Sequence, residues 1–153
     1  MTTLEPQVRI VPVDAATGRP LRHAVLRPDD PPEQPMYARE EDAGTLHFAA
    51  LGDGDEVLAV GSAMAEGHPR DPGPGDWRIR GMTTRADLRG RGFGQRVLEA
   101  LERSAREQGA TRLWCNARTG ARGFYERAGF VVEGEEFEIA GIGPHFVMSK
   151  LLV

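Results

Sequence analysis

An α/β chain of the α+β kind is the fold this sequence predicts, with a mixed, largely antiparallel sheet of six to seven strands flanked by helices. Three observations carry that expectation. Two β-like runs, 45–51 and 56–64, flank the turn Gly52-Asp53-Gly54-Asp55, a strong hairpin signal. From residue 77 onward the segments alternate strand, helix, strand, helix, strand, as βαβ units do. Glycines stand where the two later helices should stop, at 109 and 129.

Taken in order, 8–11 alternates apolar and polar residues and reads as a short strand. Asp14 is placed to cap a helix running to about residue 26, although Gly18 and Pro20 inside it weaken its intrinsic propensity. Residues 27–35 hold four prolines and read as a loop. The hairpin strands follow, and then a second loop at 67–76 with three prolines and three glycines. Residues 77–84 form the next strand. Over 93–108, Phe93, Val97, Leu101 and Ala105 recur at four-residue steps with Leu98 beside them, one apolar stripe on a helix. Glu99–Arg103 and Glu102–Arg106 stand at i, i+4 with the acid first, the favourable order. A strand at 112–116, a helix at 119–128 and strands at 130–139 and 145–152 complete the chain. No composition shift or linker divides it, so 1–153 reads as a single domain.

Composition narrows the function classes. The 153 residues are 40% hydrophobic and 27% charged, ordinary for a soluble protein. No apolar run approaches the roughly 20 residues that span a bilayer, and the first residues lack a basic stretch leading into an apolar one. The expected location is the cytoplasm, with no membrane partner. The lone Cys115 excludes an internal disulfide and a multi-cysteine zinc site. His23, His47, His68 and His145 are scattered, so no metal is expected. A net charge of −4 argues against nucleic acid.

That charge is unevenly spread. Between Trp77 and Arg96 stand six arginines (78, 80, 85, 89, 91 and 96) and one acid, Asp87. Within this segment Arg89-Gly90-Arg91-Gly92-Phe93-Gly94 joins a strand to a helix. A helix start leaves N–H groups unpaired and carries partial positive charge. Glycines let backbone approach an anion without interference from Cβ. The combination reads as a phosphate site, to which Arg89 and Arg91 add charge-assisted donors. The spacing fits neither a P-loop, which requires GxxxxGK[ST], nor a dinucleotide fingerprint, which requires GxGxxG after a parallel strand.

The pattern Arg-x-x-Gly-x-Gly at 89–94, set between strand and helix, resembles the pyrophosphate motif of the GCN5-related N-acetyltransferase (GNAT) superfamily. A second motif stands at the matching distance. Asn116, followed by Phe124-Tyr125-Glu126-Arg127-Ala128-Gly129-Phe130, is similar to that family's asparagine and its tyrosine-bearing helix. Together they cover about residues 45–152. The ending from Glu138 through His145 to Met148 resembles an ElaA-like branch, with an extra Gly143.

The resemblance implies the acyl-CoA N-acyltransferase fold and a set of roles. Met82, Thr83 and Thr84 would offer backbone groups to the pantetheine amides of acetyl-CoA. The N–H groups of Gly90, Arg91, Gly92, Phe93, Gly94 and Gln95, with Arg89 beside them, would hold its pyrophosphate. Asn116 and Phe124 would lie along the coenzyme. Tyr125 would protonate the departing thiolate, which is chemically apt because a phenol's pKa is near a thiol's. The reaction implied is acetyl transfer to a primary amine, on a small molecule or a protein, by direct attack in a ternary complex.

An amine must be neutral to attack, so a base or water relay is expected. Glu138 and His145 are the first candidates, with His47 in the hairpin a third. Cys115 beside Asn116 admits a covalent route, although a buried strand cysteine is more commonly a small apolar residue. Trp77 and Trp114 read as core or edge aromatics, and Met36, Tyr37 and Arg39 as acceptor-site candidates. A homodimer is expected only as a base rate. A non-catalytic acyl-CoA-binding module is the alternative, against which a proton donor at the sulfur argues. A nucleic-acid binder predicts steep salt dependence instead.

Overall fold

The computed structural model describes residues 7–29 and 37–152. The strands are β1 (Arg9–Pro12), β2 (Leu46–Leu51), β3 (Val57–Ala65), β4 (Asp76–Thr84), β5 (Arg112–Arg118), β6 (Val131–Ile139) and β7 (Gly143–Leu151). The helices are α1 (Ala15–Leu26), α2 (Phe93–Glu107) and α3 (Arg122–Arg127), with single 3₁₀ turns at Asp53–Asp55, Ala86–Leu88 and Thr119–Ala121. The strands form one seven-stranded sheet in the order β1-β2-β3-β4-β5-β7-β6. β1–β2, β5–β7 and β6–β7 are antiparallel, and β4–β5 is parallel across the α2 crossover. The predicted mixed, largely antiparallel sheet is the observed one. Among the described residues no helix is long and apolar enough to cross a membrane.

The chain divides into two compact units. Residues up to 62 with 81–101 make the first, and 63–80 with 102 onward the second. In the first, Ala49, Leu51 and Val60 are buried, and Val11, Val13, Leu21 and Val57 pack against them. Asp14 caps α1 by accepting from the Thr17 N–H at 2.9 Å. Gly18, which weakens the helix locally, has a packing reason. A Cβ there would lie 2.6 Å from Val60 Cγ2, so only glycine lets α1 sit against β3. Of the acceptor-site candidates, Met36 lies outside the described residues.

The second unit buries Leu113, Trp114, Cys115, Phe130, Val147 and Met148. Of the α2 stripe, Val97, Leu98 and Leu101 are buried residues of the first unit and Ala105 of the second. The end of α2 is a Schellman motif: Gly109 has φ +94°, its N–H reaches the Arg106 carbonyl, and the Ala110 N–H reaches that of Ala105. Of the two expected i, i+4 pairs, Glu102–Arg106 forms at 3.6 Å. Glu99–Arg103 forms none among the described residues. Glu102 also takes Lys150 at 2.6 Å, a partner remote in sequence.

Three boundaries move. β5 runs to Arg118 because its ladder with β7 continues to His145. A 3₁₀ turn replaces the start of the expected 119–128 helix, leaving Arg122–Arg127. β7 starts at Gly143, which pairs with Ile139 across the tight turn from β6.

The proline-rich loop at 67–76 is held by Asp76. Its carboxylate accepts Arg112 Nε at 2.8 Å and Nη2 at 2.9 Å, the His68 N–H at 2.9 Å and the Gly73 N–H at 2.7 Å. These donors, Arg112 foremost, hold its carboxyl down at about pKa 2. A depressed carboxyl stabilises the fold above its unfolded pKa, and that contribution fades as pH falls through the folded value. Asp76→Asn is therefore expected to cost about 2 kcal/mol at neutral pH, lowering Tm by roughly 5 °C. In melts from pH 7 down, the gap from wild type should close below about pH 3. A constant gap would contradict the ionic origin.

Candidate active site

In the first unit the site begins with the last residues of β4, 81–84. This strand pairs with β5 over Asp76–Arg78 only, against Arg112–Trp114. It then passes through Gly81, at φ +63°, before Met82–Thr84. Glycine inside a strand marks a bulge, so the sequence carries the signal, although a regular strand is the expectation at 77–84. Beyond it the Arg85 N–H donates to the Leu58 carbonyl at 2.9 Å, tying the strand's exit to β3.

The glycine-rich turn is exposed. Gly90 and Gly92 have φ of +82° and +84°, and a Cβ built on either would meet nothing within 4 Å. The Arg96 N–H bonds the Gly92 carbonyl at 3.1 Å, so α2 begins directly after Gly92. Its first N–H groups have no partner within the helix. The basic segment is less uniform than its composition. Arg85 binds Asp87 and Glu56, and Arg78 binds Glu66 and stacks over Trp114. Arg89 and Arg91 are exposed and make no ion pair among the described residues. They are the two arginines adjoining the open glycines.

In the second unit α3 is only six residues long. It closes with a second Schellman motif, in which Gly129 has φ +98° and the Phe130 N–H reaches the Tyr125 carbonyl at 3.0 Å. That motif brings its third-from-last helical residue against the residue after the glycine. Those residues are Tyr125 and Phe130, whose rings lie 5.4 Å apart at 66°. Phe124 meets Tyr125 edge-on at 5.0 Å. The Tyr-Glu-Arg-Ala-Gly-Phe run thus fixes the tyrosine by local geometry. Tyr125 is buried, and burial pushes its pKa well above the usual phenol value, with Cys115 adding to the effect. It holds its proton at neutral pH, as a general acid must.

Burial also pushes the Cys115 thiol up. A neutral buried thiol is a poor nucleophile, so the structure places Cys115 as a core residue.

The Asn116 side-chain oxygen is buried and has no hydrogen-bond partner among the described residues. Such an acceptor calls for a donor from outside the chain. The N–H of a bound amide supplies one, so the residues present fit the pantetheine arm of acetyl-CoA.

Register separates the remaining candidates. Asn116 faces Val147, and Arg118 faces His145, so alternation puts Asn116 and His145 on one face of the β5–β7 ladder. Cys115, the electrostatic neighbour of Tyr125, is on the other face. Phe137 pairs with His145, so Glu138, paired with Pro144, points away from that histidine. Glu138 is exposed. His145 is buried, and its Nδ1 donates to the Gly143 carbonyl at 2.7 Å. The carbonyl can only accept, so neutral His145 keeps its basic lone pair on Nε2. His47 has no such atom to spare: its Nδ1 meets Ser62 Oγ at 2.6 Å and its Nε2 meets the Glu40 carbonyl at 2.8 Å. It is a structural residue.

The model of the acetyltransferase (GNAT) family matches residues 16–130. The uncharacterized N-acetyltransferase YitI of Bacillus subtilis is 33% identical over 132 residues, covering 86% of this chain and 88% of that protein. The chain belongs to the GNAT acetyltransferase family. Membership makes it an acetyl-CoA-dependent N-acetyltransferase, as the two motifs predict. Solved structures of the family share the fold at low identity. ElaA of Escherichia coli superposes with a TM-score of 0.74 at 18% identity, over 94% of this chain and 99% of that one. An aminoglycoside 6'-N-acetyltransferase complexed with coenzyme A gives 0.73 at 14%, over 95% and 97%. At such identities the likeness speaks for this GNAT chain's fold alone.

Proposed function

We propose that this enzyme acetylates a primary amine by direct attack in a ternary complex. Acetyl-CoA supplies an acyl group activated as a thioester. The reading rests chiefly on the open, left-handed backbone at Gly90 and Gly92, at the start of α2 and beside Arg89 and Arg91. Residues 89–95 would hold the pyrophosphate, and Met82–Thr84 with Asn116 and Phe124 the pantetheine arm. Tyr125 holds a proton at its hydroxyl for the departing sulfur. For the base that takes the amine's proton two candidates stand: His145 through Nε2, on the ladder face of Asn116, and the exposed Glu138, on the ladder face of Cys115, the neighbour of Tyr125. The acceptor is a small-molecule or protein amine.

The test is release of free CoA thiol from acetyl-CoA over a panel of small amines and lysine peptides. Tight CoA binding with no thiol release on any amine would overturn the reading and favour a binding module. The route is tested separately. The buried thiol predicts that Cys115→Ser keeps kcat within about twofold and that initial-rate lines intersect, whereas a covalent acetyl-cysteine route requires a dead variant and parallel lines.

A further inference from the structure

The Gly81 carbonyl accepts two side-chain donors, Arg22 Nε at 3.0 Å and Thr83 Oγ1 at 3.2 Å. Arg22 reaches it from α1 with a side chain that is completely buried. A Cβ on Gly81 would lie 2.6 Å from Arg22 Nε, so glycine here permits both the positive φ and the close approach. Arg22 Nη2 also donates to Ser62 Oγ on β3. The Ser62 hydroxyl in turn meets His47 Nδ1 at 2.6 Å, and His47 Nε2 meets the Glu40 carbonyl at 2.8 Å. That carbonyl only accepts, so Nε2 carries the proton and Ser62 donates to Nδ1. One hydrogen-bonded chain therefore runs from Glu40 through His47, Ser62 and Arg22 to the bulge in β4, within a single unit.

The cation at its centre is thinly compensated. Among the described residues Arg22 Nη1 has no hydrogen-bond partner, Glu40 is 3.9 Å away and already engaged by Arg19 at 3.0 Å, and the Tyr37 ring centroid lies 5.8 Å from the guanidinium carbon. Burial lowers the pKa of Arg22. Replacing a buried ion of this kind with a well-packed apolar residue is often neutral or stabilising. An apolar residue cannot hold a backbone carbonyl, which is the one thing Arg22 does for β4.

We propose that Arg22 is a positioning residue, whose grip on the Gly81 carbonyl sets the bulge so that Met82–Thr84 present their backbone groups to the donor's pantetheine arm. This rests on the assignment of Met82–Thr84 to the donor made above.

The test compares Arg22→Met and Arg22→Lys with wild type in the full chain. Amide exchange over residues 79–85 is measured with and without CoA, beside Tm and the calorimetric Kd for CoA. Because Arg19 still pairs with Glu40, both variants are expected to melt cooperatively near the wild-type Tm. Exchange at Met82–Thr84 in the free variants should rise at least tenfold, and Kd for CoA should rise about tenfold. Lysine keeps the charge but loses the Nε donor, so it should not rescue either quantity. Wild-type exchange and Kd in Arg22→Lys would overturn the proposal, and that variant decides alone if Arg22→Met does not fold. If CoA fails to protect these amides in wild type, the donor assignment falls and the purpose of the clamp with it. Exchange in the free protein still reports whether the clamp itself exists.

Discussion

Gly92→Asp is expected to raise the Kd for CoA at least ~100-fold, about 3 kcal/mol, while leaving the protein folded. Gly92 has φ +84°, and a Cβ added there would meet nothing within 4 Å. Aspartate is among the side-chain-bearing residues that best tolerate left-handed backbone, so the change isolates the effect on the ligand. A carboxylate there sets a negative charge where the start of α2 and the side chains of Arg89 and Arg91 favour an anion. Gly92→Asn supplies the control, with nearly the same shape and no charge, and should cost no more than about tenfold. Calorimetry with CoA across a salt series checks both. The gap between Asp and Asn should narrow as salt screens the charge. Equal losses in the two variants would mean that bulk, not charge, closes the site, and unchanged affinity in both would place the pyrophosphate elsewhere.

The features that survived from sequence to structure have local causes. The stripe on α2 follows from helical spacing, and the stops at Gly109 and Gly129 follow from the left-handed conformation each adopts. The placing of Tyr125 against Phe130 is also local, since one helix-ending motif fixes both. Gly90 and Gly92 were readable as open backbone because a glycine-rich turn before an amphipathic helix has few other uses.

What the sequence hid depends on residues that meet only after folding. Gly18 looked like a defect in α1 until Val60 stood above it. The Arg22, His47, Ser62 and Gly81 chain draws on four separate elements, and no spacing rule links them. Glu102 takes Lys150 while Glu99 makes no pair with Arg103, because the choice is set by tertiary position. Glu138 and His145 looked interchangeable as bases in one dimension. A two-residue periodicity with Gly143 drawn into the ladder puts them on opposite faces.

Tyr125→Phe is expected to lower kcat about 100-fold, within the range general acids contribute, with less than a twofold change in Kd for CoA. Phenylalanine keeps the ring that packs on Phe124 and Phe130, so Tm should stay within about 2 °C of wild type. The loss falls on kcat because the hydroxyl is needed only as charge develops on sulfur. Burial raises the phenol's pKa, so Tyr125 keeps its proton beyond the usual phenol range near 10, and the alkaline side of the wild-type rate profile should show no phenol-dependent loss below about pH 10. A thioester donor with a more acidic thiol should recover much of the lost rate in Tyr125→Phe. Equal losses on poor and good leaving groups would assign Tyr125 to packing and leave the proton donor to be sought elsewhere.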